Sequence, residues 1–247
     1  MAVSLGAWSM LNSAPVASLL AGTNADWTVL DAQHGLFDDR GMVESLALAG
    51  AAHPNHPMHV RVAANEPWLI GRALDAGAAG VIVPMVDDEA QAAAAAGACC
   101  YPPRGTRSWG PMGAAYGAGA AASPTEVDAR IQCAVMVETR TGLGNVDAIA
   151  ATAGVDMIFL GPFDLSIALG IELPELLGDR SAGNPLDTVV AACREHGIRA
   201  GAFAGSAATA TALAERGFTH LALAVDTFLI ASATTQLVDE VRRSLDG

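Results

Sequence analysis

The chain contains no lysine; all 13 residues counted as Lys+Arg are arginines. That absence excludes a lysine Schiff base, a pyridoxal phosphate anchor and a P-loop lysine. Positive charge is scarce altogether: 13 arginines face 26 acidic residues, for a formal net charge of −13. Phosphate binding needs a basic footprint, so nucleic acid and anionic membranes are not expected as partners. No apolar run approaches the ~20 residues of a membrane span. The N-terminus lacks a basic stretch followed by an apolar one, so no signal peptide is expected. The four cysteines form no C-x-x-C pair and no zinc spacing. Cys133 and Cys193, in apolar or helical surroundings, read as inert core thiols, and a reducing, cytoplasmic setting is expected.

What is present is a long alternation. With 247 residues, 52% of them hydrophobic, the chain can bury a large core, and a (β/α)8 barrel typically takes ~250. Short apolar strands are predicted at Leu5–Trp8, Trp27–Ala32, Met58–Val62, Gly80–Val86, Val135–Arg140, Met157–Leu160, Ile198–Phe203 and His220–Val225. Helical patterns separate them, and no composition break marks a linker. Continuous apolar strands alternating with helices imply a parallel sheet. Eight in this length imply a closed TIM barrel, one domain over 1–247. Residues 101–124, rich in Gly, Pro and Ala, are long for a connection and are a candidate active-site or interface loop. The segment after Asp164 reads as short and irregular.

In such a barrel, chemistry sits at the C-terminal strand ends. Those ends carry Asp31, His34, Arg61, Glu138, Asp164 and Asp226. Glu138 and Asp164 are 26 residues apart, room for one helix and one return strand, so both would point into one cavity. Two such acids are a divalent-metal site or an acid/base pair; the alternative is a pair of structural acids bridged to Arg140 or Arg61. Mg²⁺ or Mn²⁺ suits oxygen ligands that leave room for water and substrate. His34, in a glycine-bounded turn, is a candidate general base or a loop histidine bonded to backbone. Arg61, inside an apolar strand, either pairs with a rim acid or awaits an anionic substrate. Arg104 and Arg107 could bind a second carboxylate, or be surface arginines. His53, His56 and His59 read as members of a solvated loop.

Together these residues resemble the HpcH/HpaI family of metal-dependent pyruvate aldolases, of the 4-hydroxy-2-oxoheptanedioate aldolase type. The resemblance rests on DAQHG (Asp31–Gly35), VRVAANEP (Val60–Pro67), LDAGAAGVIVPMV (Leu74–Val86), YPPRGTRSWGP (Tyr101–Pro111), VETR (Val137–Arg140) and GPFDLS (Gly161–Ser166). It implies a phosphoenolpyruvate/pyruvate-type barrel and a class II aldolase that reversibly cleaves a 4-hydroxy-2-oxo acid to pyruvate, or hydroxypyruvate, and an aldehyde. It implies that Glu138 and Asp164 hold Mg²⁺, Mn²⁺ or Co²⁺, which chelates the 2-oxo acid. Backbone from Gly161 through Pro162 and Phe163 to Asp164 would seat the carboxylate, with Met136 and Phe203 near the substrate. Arg61 would stabilise enolate and aldol oxygen, and His34, paired with Asp75, would move the proton. Arg104 and Arg107 are acceptor-side candidates. The resemblance also implies a hexamer, a trimer of dimers, with the last helix packed on a neighbour. Many members carry glutamine at the position of Met136 and glutamate at that of Gln33, and the segment after Tyr116 is alanine-rich. Alternatives within the fold are an oxaloacetate decarboxylase or an acyl-CoA lyase; outside enzymology, a keto-acid-binding paralogue.

The missing lysine yields a direct test. Borohydride added with pyruvate should leave no covalent adduct on any side chain. A stable pyruvyl mass increment away from the N-terminal amine would contradict the class II assignment.

Overall fold

The computed structural model describes residues 2–112 and 123–246. Eight parallel strands close into a barrel in sequence order: β1 (Ser4–Ser9), β2 (Trp27–Asp31), β3 (Met58–Arg61), β4 (Gly80–Val83), β5 (Gln132–Val137), β6 (Met157–Leu160), β7 (Arg199–Phe203) and β8 (His220–Val225). Helices α1 (Ala14–Ala21), α2 (Asp39–Ala52), α3 (Pro67–Asp75) and α4 (Glu89–Cys99) follow the first four strands. After a short α5 (Pro124–Asp128) and β5 come α6 (Arg140–Gly144) and α7 (Val146–Ala151). Beyond β6 lie α8 (Pro162–Leu169), α9 (Leu173–Gly178) and α10 (Pro185–Glu195); α11 (Ala207–Arg216) and α12 (Asp226–Leu245) complete the chain.

Two apolar clusters follow from the period-2 alternation of the strands. Trp8, Val29, Ile82, Met136 and Phe159 fill the barrel, while a larger cluster including Leu30, Val60, Val81, Val135 and Ile158 packs the strands against the helices. Alternation also decides which polar residues point inward: on β3, His59 and Arg61 share the inner face. His59 thus belongs to a strand and not to a solvated loop. Its Nε2 lies 3.1 Å from Gln132 Oε1, and burial pushes its pKa down to about 4. The four cysteines are free, and burial pushes the Cys193 thiol up to about 12.

Local chemistry places the helix starts. Asp38 caps α2 through Gly41 N–H (2.7 Å) and Asp88 caps α4 through Gln91 N–H (2.8 Å), as short acids do at N-caps. The segment after Asp164 is helical and not irregular: Pro162 sits in the first turn of α8, where proline is tolerated, and Gly170 closes it in the left-handed conformation. The connection between β5 and β6 is two short helices and not one, parted at Asn145, whose side-chain amide donates to Asp87 O at 2.7 Å. Among the described residues no helix is long and apolar enough to cross a membrane.

Asp226 is not a rim group. It is buried, and its carboxylate accepts Ser9 Oγ–H (2.9 Å), Met10 N–H (3.0 Å) and Leu11 N–H (3.1 Å). It therefore closes the β8–β1 seam, where the ladder shifts register between Gly6 and Ala7. Asp226→Ala would strand those donors, costing about 2–3 kcal/mol. Thermal unfolding should show Tm lowered by about 5–10 °C, and an unchanged Tm would mean the seam holds without this carboxylate.

Candidate active site

At the C-terminal end of β3, Arg61 grips Asp31 at the end of β2 through two bonds: Nε to Oδ1 at 2.9 Å and Nη2 to Oδ2 at 2.5 Å. The two residues are direct neighbours in the β2–β3 register. Trp8 donates its indole N–H to Asp31 Oδ2 (3.1 Å), and its ring lies 5.0 Å from the Arg61 guanidinium carbon. Asp31 Oδ1 also accepts the amides of Gln33 (3.0 Å) and His34 (3.1 Å). Burial alone would push the Asp31 carboxyl upward, but the Arg61 bonds and charge, with Trp8 and the His34 amide, hold it below the usual range. Arg61 thus pairs with a rim acid, and that acid is Asp31. Its Nη1 has no protein partner among the described residues.

Glu138 follows β5 and is buried. One oxygen, Oε1, accepts the Met85 amide at 3.0 Å. Met85 itself has φ +57°, uncommon outside glycine and asparagine, and the turn is held by Val86 N–H donating to Met136 O at 3.1 Å. The other oxygen faces Gly161. A Cβ at Gly161 would stand 2.9 Å from Glu138 Oε2 and 3.3 Å from Asp164 Oδ2, so both carboxylates border the space that the missing side chain leaves. Burial raises the Glu138 pKa above the ordinary glutamate value; the Met85 amide pulls the other way, Asp164 pushes it further up, and Arg61 and His34 lower it.

The remaining predicted residues divide. Met136 is buried beneath this group, and Phe203, ending β7, stands edge-on to Trp8 with ring centroids 5.2 Å apart. Phe163 is exposed in the first turn of α8, where Leu165 N–H is the first amide to find a helix carbonyl (Gly161 O, 2.9 Å). His34 is exposed on the turn after β2. Asp75, by contrast, is the last residue of α3, a helix running antiparallel to the strands, so it lies at the opposite barrel end. Its Oδ1 is 2.7 Å from Arg107 Nη2, and the Arg107 guanidinium covers Tyr101 at 4.6 Å. Arg107 is buried. Arg104 and Arg107 belong to the α4-to-β5 connection, which begins and ends away from the mouth. Within one chain they are not acceptor-side residues, and Asp75 is not the partner of His34. Residues 113–122 of this connection, which include the alanine-rich stretch after Tyr116, lie outside the described residues.

Trp8 and Met85 were not foreseeable as site components. Trp8 reads as an ordinary strand residue until β1 is set beside β2. No composition rule marks a methionine for positive φ, or predicts that its amide will grip a carboxylate 53 positions away. Among the described residues no group of three or more His, Cys, Asp or Glu could hold a metal, so a cation here would have two protein carboxylates. Of the histidines around the start of β3, His56 Nε2 lies 2.9 Å from Thr28 Oγ1, and His59, on β3 itself, faces Gln132.

A closed (β/α)8 barrel that brings two carboxylates and a tethered guanidinium to its C-terminal mouth is built as an enzyme for small oxygen-rich substrates. The HpcH/HpaI aldolase/citrate lyase family profile matches residues 4–233. The chain belongs to this family and is a carbon–carbon lyase. It is 36% identical over 246 residues to a hydroxypyruvate/pyruvate aldolase of Paraburkholderia phytofirmans, covering 96% of this chain and 92% of that one. It is 35% identical over 250 residues to a 5-keto-4-deoxy-D-glucarate aldolase of Klebsiella pneumoniae (98% and 93% covered). A crystal structure of a family protein from Burkholderia cenocepacia superposes with TM-score 0.87 at 34% identity, covering 98% of this chain and 95% of that one.

The Arg61–Asp31 geometry makes a sharp prediction. Lysine would keep the charge beside Asp31 but not the planar fork. Arg61→Lys should stay folded yet lose ~10²–10³ in kcat, the usual cost of losing a positioned donor to a developing oxyanion. Arg61→Ala should also lose about 3–5 kcal/mol of stability, because Asp31 is left buried without its partner. Measured side by side, a lysine variant with near-normal kcat would reduce Arg61 to a structural cation.

Proposed function

We propose that the protein is a class II aldolase. It cleaves a 4-hydroxy-2-oxo acid reversibly to pyruvate or hydroxypyruvate and an aldehyde, with a divalent cation (Mg²⁺, Mn²⁺ or Co²⁺) held by Glu138 and Asp164. The observation that carries this reading is the space above Gly161, bordered by Glu138 Oε2 and Asp164 Oδ2. Both donors are hard oxygens, and Glu138 Oε1 is already occupied by the Met85 amide. Two carboxylates with the remaining positions left to water and substrate suit Mg²⁺ or Mn²⁺. A cation would also offset the mutual repulsion that helps raise Glu138. When bound, it supplies Lewis-acid stabilisation of an enolate, worth several kcal/mol.

The chain's own residues supply the rest. First-turn amides of α8, at Phe163 and Asp164, face the mouth with the positive end of the helix dipole and donate to the carboxylate of the 2-oxo acid. Arg61, held flat by Asp31 and Trp8, directs its free Nη1 at the oxyanion. His34, poised on a turn whose amide Asp31 fixes, transfers the proton of the 4-hydroxyl through water. Met136 and Phe203 form the floor and wall that exclude bulk water. Without lysine, an imine electron sink is closed to this chain, and the cation is the sink the site offers.

Assembly is part of the proposal. The exposed α12 carries Phe228, Leu229, Ile230, Leu237, Val238 and Val241, all more than 40% accessible, too much apolar surface on one helix to leave in water. We propose that this helix packs on a second copy in a homo-oligomer, a hexamer arranged as a trimer of dimers. The same assembly would bring the Asp75 end of one barrel to the His34 mouth of another.

Metal dependence is directly testable. Exhaustive chelation should abolish pyruvate release, and Mg²⁺, Mn²⁺ or Co²⁺ should restore it. Independently of turnover, Mn²⁺ at ~100 times its Kd should stabilise the fold by about 2.7 kcal/mol, seen as a raised Tm, and Glu138→Gln should remove that rise. Full activity in the metal-free protein would sink the class II mechanism.

A further inference from the structure

The turn between β4 and α4, residues 84–88, does more than link two elements. Met85 holds it at φ +57°, a conformation that a residue with a Cβ keeps only where its surroundings over-determine it. The Met85 amide is also the donor that engages Glu138 Oε1, at 3.0 Å. What over-determines the turn lies on the next βα unit, immediately after Glu138.

Thr139 is the first of these groups. Its hydroxyl donates to Asp87 Oδ1 and accepts the Gly142 N–H at 2.9 Å, so one side chain both caps α6 and grips the turn. Asn145, where α6 gives way to α7, donates its side-chain amide to Asp87 O at 2.7 Å. Asp87 N–H donates in turn to Gln91 Oε1 at 2.9 Å, in the first turn of α4. Close backbone approach completes the clasp: a Cβ at Gly142 would stand 2.8 Å from Val86 O and 3.3 Å from Asp87 Oδ1. Glu138 and Thr139 therefore hold one short turn at two points, residues 85 and 87, and Asn145 secures the second point.

We propose that Thr139 and Asn145 are positioning residues for the cation site. Through Asp87 they keep the Met85 amide on Glu138 Oε1, and so keep Oε2 directed at the space above Gly161. The proposal rests on the reading of Glu138 and Asp164 as cation ligands. The three atoms nearest a Cβ at Gly161 belong to those two residues; Thr139 and Asn145 act on that space only through the turn. Glu138 is buried, and among the described residues the Met85 amide is its one hydrogen-bond donor. With the clasp undone, Met85 relaxes toward negative φ, its amide swings away, and Oε2 loses its fixed direction. Hydrogen-bond partners that orient metal ligands typically set affinity by ~10–100-fold. The cost falls on cation binding and not on the chemical step, because neither side chain reaches the substrate.

The test titrates Mn²⁺ into the chelator-stripped oligomer by calorimetry, for the unaltered protein, Thr139→Val, Thr139→Ser and Asn145→Ala. Valine keeps the shape of threonine without its hydroxyl, and serine keeps the hydroxyl. Mn²⁺ binding should weaken ~10–100-fold in Thr139→Val and, for one neutral hydrogen bond lost, about two- to tenfold in Asn145→Ala. Thr139→Ser should bind nearly as the unaltered protein does. The Mn²⁺ concentration for half-maximal pyruvate release should rise by the same factors, with kcat at saturating Mn²⁺ little changed. A merely structural role would lower the Tm of metal-free Thr139→Val and leave the Mn²⁺ affinity of the folded protein unchanged; that result would overturn the proposal. So would an equal loss of affinity in Thr139→Ser. If Thr139→Val does not fold, Asn145→Ala decides, and unchanged affinity there overturns it. Absence of Mn²⁺ binding by the unaltered protein would instead overturn the cation reading itself, an outcome distinct from these.

Discussion

The Arg61–Asp31 pair is the constraint on which the mouth of this barrel depends. Neither charge tolerates burial alone, and each is satisfied by neighbours that the barrel brings together. Asp31 receives two bonds from Arg61, one from the Trp8 indole and two from the amides of Gln33 and His34. One carboxylate therefore flattens the guanidinium against Trp8 and shapes the turn that carries His34. The guanidinium edge left over is the one not needed for folding. Structure and chemistry share the same side chains here, so a change at Asp31 reaches both Arg61 and His34 at once.

Environment also separates carboxylates that look equivalent in the chain. Asp31 is held below the ordinary range by donors, whereas Glu138 is raised, chiefly by burial and further by Asp164. By linkage, Asp31 contributes stability that is present above its unfolded pKa and is lost as pH falls through its lowered folded value. Glu138 has the opposite sign, since a carboxyl raised by burial and by Asp164 ionises at a cost in the folded chain. An acid held charged by donors and an acid raised by burial thus stand at the same end of the barrel, one ending β2 and the other following β5. The strained Met85 turn keeps the second in place by occupying one of its oxygens.

The asymmetry between the barrel ends is electrostatic as well as topological. Strand-to-helix turns hold Asp31, Glu138 and Asp164 with Arg61, whereas Arg104, Arg107 and Arg130 lie on the connection that leads into β5. Among these, Arg107 and Asp75 bind each other at 2.7 Å. A chain with twice as many acids as bases has little positive charge to spare.

Much of this was legible in the residues themselves. Alternation of apolar strands with helical patterns implies eight parallel strands, because period 2 and period 3.6 are local properties of the chain. The missing lysine excludes an imine without any coordinates. Glu138, Asp164, Arg61 and His34 stand at strand ends whatever the details of packing. Other features had to wait for the fold. Asp226 looks like one more rim acid until the barrel closes and makes it the clasp of the β8–β1 seam. Arg104 and Arg107 look like mouth residues until the direction of their connection puts them at the other end. The partner of Arg61, the Trp8 ring beneath it and the Met85 amide on Glu138 depend on which strands become neighbours and on a backbone angle that no residue type announces. Sequence determines the local period and the chemistry available; pairing between distant side chains is decided by register and barrel closure, since only those bring positions 8, 31 and 61, or 85 and 138, within bonding distance.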